Sequence, residues 1–157
     1  MRICLIVTFC SLFFAFNANS QSLSYKSKVH KIYSLIITEE ARQVMIDKAI
    51  DNYSWVKNKE SYAFWNEFTY EMRKIDVSDF AEIIIPVYYK YLSEEDLETF
   101  IESLTLPQNR LGIKHQMLLQ KMSANASTLN EEAYNAGSIW GQQKADGIIR
   151  KLRSKGI

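Results

Sequence analysis

No glycine occurs between Met1 and Leu111, and all five glycines of the chain follow that stretch. Two-residue hairpins rely on glycine or asparagine at positive φ, so a β-meander is disfavoured over this stretch. The same gap excludes a glycine-rich phosphate loop or a dinucleotide fingerprint there. The chain has 157 residues, 47% of them hydrophobic and 24% charged. Such a chain can bury its apolar residues by packing helix on helix. The expected fold class is therefore all-α, a single domain of six or seven mostly antiparallel helices.

The first twenty residues read as an address. Arg2 gives a positive start, and Ile3 to Phe16 is apolar apart from Thr8 and Ser11. An apolar run of about 14 residues suits a signal-peptide core and is short for a membrane span. Ala18 and Ser20 put small residues at the −3 and −1 positions of a cleavage point between Ser20 and Gln21. Residues 1–20 are thus expected to be a cleaved signal peptide, and residues 21–157 an exported all-α domain, periplasmic or secreted. No membrane span is expected once the leader is gone. Both cysteines, Cys4 and Cys10, leave with it, which removes disulfides, thiolate catalysis and cysteine-ligated zinc.

Apolar spacing is helical nearly throughout. Ser24 to Ile37 carries Val29, Ile32, Tyr33 and Ile36 on one stripe. Thr38 offers an N-cap, with Glu39 and Glu40 in the following turn, where carboxylates suit the helix dipole. Ala41, Val44, Met45, Ala49, Tyr53 and Val56 then form the next stripe. A third helix spans about Lys59 to Ile75, and Asp76 or Ser78 caps a fourth, in which Pro86 removes one donor. Ser93-Glu94-Glu95-Asp96 is a near capping box for a fifth. Pro107 suits the first turn of a sixth. Residues 123–130, SANASTLN, read as a linker, and Thr128 to Glu131 as the capping box of a last helix. That helix places Ala133, Gly137, Gly141 and Ala145 at four-residue spacing. Glycine inside a helix costs about 1 kcal/mol against alanine, so the stripe is expected to serve close packing, within the chain or in a homodimer.

The stretch Ile85-Pro86-Val87-Tyr88-Tyr89-Lys90-Tyr91-Leu92-Ser93-Glu94-Glu95-Asp96-Leu97 resembles the core of the bacterial exported family called domain of unknown function 2059. The resemblance extends over about residues 80–122, with Phe100, Ser103, Pro107 and Arg110-Leu111 as further counterparts. Leu104-Thr105-Leu106 is extra, and Asn109 stands where that pattern has glycine. The resemblance implies an exported, helical, bacterial protein. It carries over no catalytic residues.

Charge is segregated along the chain. Residues 21–59 hold seven basic and four acidic groups, residues 60–102 three and eleven, and residues 103–157 eight and three. The expectation is an acidic middle lying against basic ends within one molecule. With a formal net charge of only +1, nucleic acid is not an expected partner. His115 is in phase with Leu111, Leu118 and Met122 and reads as a hydrogen-bonded core residue, while His30 lies beside Lys28 and Lys31. The carboxylate pairs Asp47/Asp51, Glu67/Glu71 and Glu98/Glu102 lack the Glu-x-x-His companions of a helical di-metal site. No catalytic residue, metal or cofactor is therefore expected.

Aromatic residues make up 13% of the chain, and Tyr53, Trp55, Tyr62, Phe64, Trp65, Phe68 and Tyr70 crowd together. One helix face cannot bury them all, and Tyr88, Tyr89 and Tyr91 cannot all face one way. Trp55, Tyr62, Trp65, Tyr88 and Tyr89 are the interface candidates, since Tyr and Trp are enriched at binding surfaces. The function these features favour is a non-catalytic module that contacts an unknown protein partner or a second copy. A small-ligand carrier or carboxylate-based envelope hydrolase is the alternative, with an inhibitor of a secreted effector as a third reading.

Overall fold

The computed structural model describes residues 21–157. The expected leader lies outside them. The described residues form eight α-helices, one 3-10 turn and no strand: α1 (Leu23–Ile36), α2 (Glu39–Asp51), α3 (Ser54–Lys59), α4 (Tyr62–Arg73), α5 (Val77–Tyr91), α6 (Glu94–Thr105), the turn Gln108–Arg110, α7 (Ile113–Ala124) and α8 (Ala126–Ser154). The all-α expectation holds, with eight helices where six or seven were expected.

Side-chain caps set most of the boundaries. Ser22, Thr38, Ser61, Asp76 and Ser93 each accept a backbone N–H from the first turn of the following helix. Each cap satisfies a donor that the helix itself leaves free. The Ser93–Asp96 box closes in both directions. Of the crowded aromatic segment, Tyr62 to Tyr70 lies in helix α4, with Phe64, Phe68 and Met72 buried at four-residue spacing, while Tyr53 and Trp55 precede it.

Three sequence-based boundaries move. The second stripe breaks at Asn52–Tyr53, because Tyr53 leaves helical geometry (φ −103°, ψ 16°) and turns its ring toward Phe68, 5.7 Å away. Pro107 precedes the 3-10 turn rather than a full helix, and α7 starts only at Ile113. Residues 123–130 are not a linker. Asn125 ends α7 and begins α8 at once, and Thr128 and Glu131 lie inside α8. Leu129, buried in the core, anchors this first turn of α8. At its far end α8 runs through Gly147 to Ser154, and Gly156 beyond its cap has a φ of 72°, the left-handed conformation that suits glycine after a helix.

The apolar residues collect into two cores. The first joins Tyr25, Val29 and Ile32 of α1 to Ala81, Ile84, Ile85 and Val87 of α5, with Leu97, Leu118 and Leu129. The second joins Ile46, Ile50 and Val56 to Phe64, Phe68, Met72 and Ile75, and to Ala145, Ile148, Ile149 and Leu152 of α8. In α2 the buried positions are Ile46 and Ile50, while Val44 and Met45 are exposed, so the core-facing stripe is rotated from the one the spacing suggested. At 29 residues α8 is about 43 Å long and reaches both cores. Its buried residues face the first core near Leu129 and Ala133. A different side faces the second core from Ala145 onward.

Candidate functional site

That change of face leaves the middle of α8 open on one side. A groove of about 500 Å³ runs there, lined by Ala49, Asn52, Tyr53 and Trp55 on one wall and by Gly137, Ser138, Gly141, Gln142 and Asp146 on the other. The α2–α3 break makes the first wall. The irregular residue Tyr53 stays half-buried, while the next helix lifts Trp55 to 40% exposure. The Tyr53 and Trp55 rings lie 6.3 Å apart and tilted by 40°, a contacting aromatic pair on that wall.

The small-residue stripe behaves differently from the close-packing expectation. Ala145 is fully buried in the second core, and Ala133 packs against the first. Between them, a Cβ built on Gly137 or Gly141 would meet nothing within 4 Å. Neither glycine is needed for a contact inside the molecule. Together they set the depth of the groove floor.

Of the five aromatic interface candidates, Trp55 alone lines this groove. Tyr62 is 78% exposed at the start of α4. Trp65 is half-buried and stacks on Phe68, 5.7 Å away. Tyr88 is half-buried against Tyr33 in a second cleft of about 340 Å³, whose opposite side includes Met122, Ala126 and Leu129. Tyr89 is exposed and meets the edge of Tyr25. Tyr53 sits in the groove but was not among the candidates. Its signal was present in the sequence, as the aromatic nearest Trp55.

The polar groups of the groove are uncommitted. Among the described residues, Asp146 joins no ion pair, and the side chains of Asn52, Ser138 and Gln142 make no hydrogen bond to the protein. Burial, with the Asp146 carboxylate nearby, raises the pKa of the Tyr53 hydroxyl. Tyr53 is therefore a neutral donor at any physiological pH. Lys59 sits 5.5 Å from the Trp55 ring centre but does not line the groove, so Asp146 is the one charged residue among the lining side chains.

The acids of residues 60–102 are largely occupied. Glu94 and Glu98 pair with Lys28, Asp96 with Lys121, Glu102 with Lys114, Glu71 with Lys151, and Glu60 with Arg153. The acidic middle therefore does lie against basic ends. Asp47 reaches Arg73, so each of the i,i+4 carboxylate pairs has at least one member held by a cation. Lys114 and His115 draw the Glu102 carboxyl below its usual range, with burial opposing them. His115 is buried, as its spacing suggested. Its Nδ1 accepts the Gly112 N–H at 2.9 Å, which leaves Nε2 to donate toward Glu102 at 3.2 Å. No group of three or more His, Cys, Asp or Glu among the described residues is placed to hold a metal ion. No described helix is long and apolar enough to cross a membrane.

Comparison with protein-family models, with curated proteins and with solved structures finds no match for this chain.

Proposed function

We propose that this chain is an exported, non-catalytic helical module that holds a partner protein in the groove between α2–α3 and α8. The observation that carries the reading is the open pair Gly137 and Gly141. Each costs helix stability against alanine, by about 1 kcal/mol, and neither is used for packing within the chain. A surface helix that retains two such positions facing two aromatic rings is shaped for something outside the molecule. Export rests on the first twenty residues, and the resemblance around residues 80–122 agrees with it. The internal pairing of the acids weighs against an acidic face that neutralises a basic effector. The groove and the Tyr33–Tyr88 cleft offer a single carboxylate between them, Asp146, which weighs against a carboxylate-pair hydrolase at either.

The test is site-specific crosslinking of the mature chain in its native envelope fraction. A photo-reactive side chain replaces Gln142 in the groove or, as a control, the exposed Gln120 of α7. One stoichiometric partner captured from position 142, absent from position 120 and lost in the Trp55→Ala background, is the expected result. Equal capture from both positions, or none from position 142, overturns the reading.

A further inference from the structure

The charge of the groove is all of one sign. Asp146 is half-buried, and among the described residues its carboxylate has neither an ion pair nor a hydrogen bond. Burial strips part of its water, and nothing described in the chain replaces what is lost. The half-buried acids Glu94, Asp96, Glu102 and Glu132 differ in this respect, since each holds a lysine.

The opposite wall adds to the same sign. Asn52 caps the C-terminal end of α2, where the helix dipole presents negative charge. Tyr53 and Trp55 follow, and the face of an aromatic ring attracts a cation through its quadrupole. Trp55 already does so at one place, with the Lys59 ammonium lying outside the lining. The Tyr53 and Trp55 rings touch each other, so a guest lies on the exposed surface of the pair and not between them. Burial first, then the Asp146 carboxylate, raise the pKa of the Tyr53 hydroxyl, which puts the acid within Coulombic reach of the aromatic wall. Gly137 and Gly141 keep the floor of the groove clear. An anionic guest would meet a carboxylate and a helix C-terminus with no lining cation to offset them. A positive guest is attracted by both and by the rings.

Resting on the reading of the groove as a partner site, we infer that the partner anchors itself there through a cationic side chain that meets Asp146 and lies on the Tyr53–Trp55 pair. Arginine is the best probe of such a site. Its guanidinium offers a fork of N–H donors to a carboxylate and a flat face to an aromatic ring.

The experiment titrates the full mature chain with two capped tripeptides, Gly-Arg-Gly and Gly-citrulline-Gly, read by tryptophan emission and by amide shifts at the groove. Citrulline has the shape of arginine without its charge. The arginine probe is expected to saturate in the millimolar range, at least about tenfold more tightly than the citrulline probe. Asp146→Asn, close in shape, should remove that preference with the far-ultraviolet spectrum unchanged. In the parent chain, raising salt from about 20 to about 500 mM should weaken the arginine probe and leave the citrulline probe unmoved. Equal affinity for the two probes in the parent, a preference that survives Asp146→Asn, shifts confined to residues outside the groove, or no saturable binding overturns the inference. Crosslinking from position 142 separates this inference from the reading beneath it. Capture of the partner is expected in the parent and lost in the Asp146→Asn background. Equal capture in both overturns the cationic anchor and leaves the partner groove standing. No capture in either, with the arginine preference intact, overturns the partner reading and not the cation site.

Discussion

At the scale of single residues, Glu94 binds three residues of α1 and its cap at once. It accepts from Lys28 at 2.6 Å and from Ser22 at 3.2 Å, and it also bonds Ser24. Ser22 and Ser24 open α1, so one carboxylate at the start of α6 fastens the first helix to the sixth. The Lys28 ammonium first, then Ser24, pull its carboxyl from the usual 4.5 to about 2. A carboxylate depressed in the folded state contributes stability that is complete above its unfolded pKa and is lost as pH falls toward the folded one. The contribution of Glu94 should therefore persist above about pH 4.5 and fade between there and pH 2. Glu94→Gln should lower the melting temperature near pH 6 and leave a smaller further loss on acidification than the parent shows. Parallel melting curves for parent and variant across that window would remove Glu94 as an acid-sensitive tie.

At the scale of elements, α8 separates two uses of glycine that look alike in sequence. Gly137→Ala and Gly141→Ala should each raise stability by up to about 1 kcal/mol, because the added Cβ meets nothing within 4 Å and alanine favours the helix. Gly156→Ala should lower stability by about 1 kcal/mol, because φ there is 72°. Urea denaturation of the three variants checks both signs. A loss at Gly137 or Gly141 would mean that they serve internal packing after all. The contrast also marks how far the sequence could be read. Helix class and most caps were legible at Thr38, Asp76 and Ser93, since a cap depends on residues within one turn. The helical path through residues 123–130 was not, because burial of Leu129 overrides the local preference of serine and asparagine for a loop. Spacing alone misplaced the front of the second stripe, since Val44/Met45 and Ile46/Ile50 fit helical periodicity equally well, while Ala49, Tyr53 and Val56 of the same stripe do reach the second core. The groove was half legible. Its glycines and its aromatics each stood out, but they lie more than eighty positions apart, and only the fold places them face to face.

At the scale of the whole molecule, the two cores share their helices. Helix α5 brings Phe80 to the second core and Ala81, Ile84, Ile85 and Val87 to the first, and α8 joins Leu129 of the first to Ala145, Ile148, Ile149 and Leu152 of the second. Neither core can come apart without exposing residues on a helix that the other holds, so unfolding should be cooperative across both. The tryptophans make this measurable. Trp65 and Trp140 pack against the second core, Trp55 stands beside Tyr53 at its edge, and the aromatic residues in and around the first core are Tyr25, Tyr33, Tyr88, Tyr91 and Phe100. Tryptophan emission thus reports the second core, while the far-ultraviolet signal reports every helix. Phe68 is completely buried in the second core. Phe68→Ala should cost about 3–5 kcal/mol and shift both signals to the same lower denaturant midpoint. If emission shifts while most of the helical signal keeps its original midpoint, the two cores unfold separately, and the groove between α2–α3 and α8 belongs to the second alone.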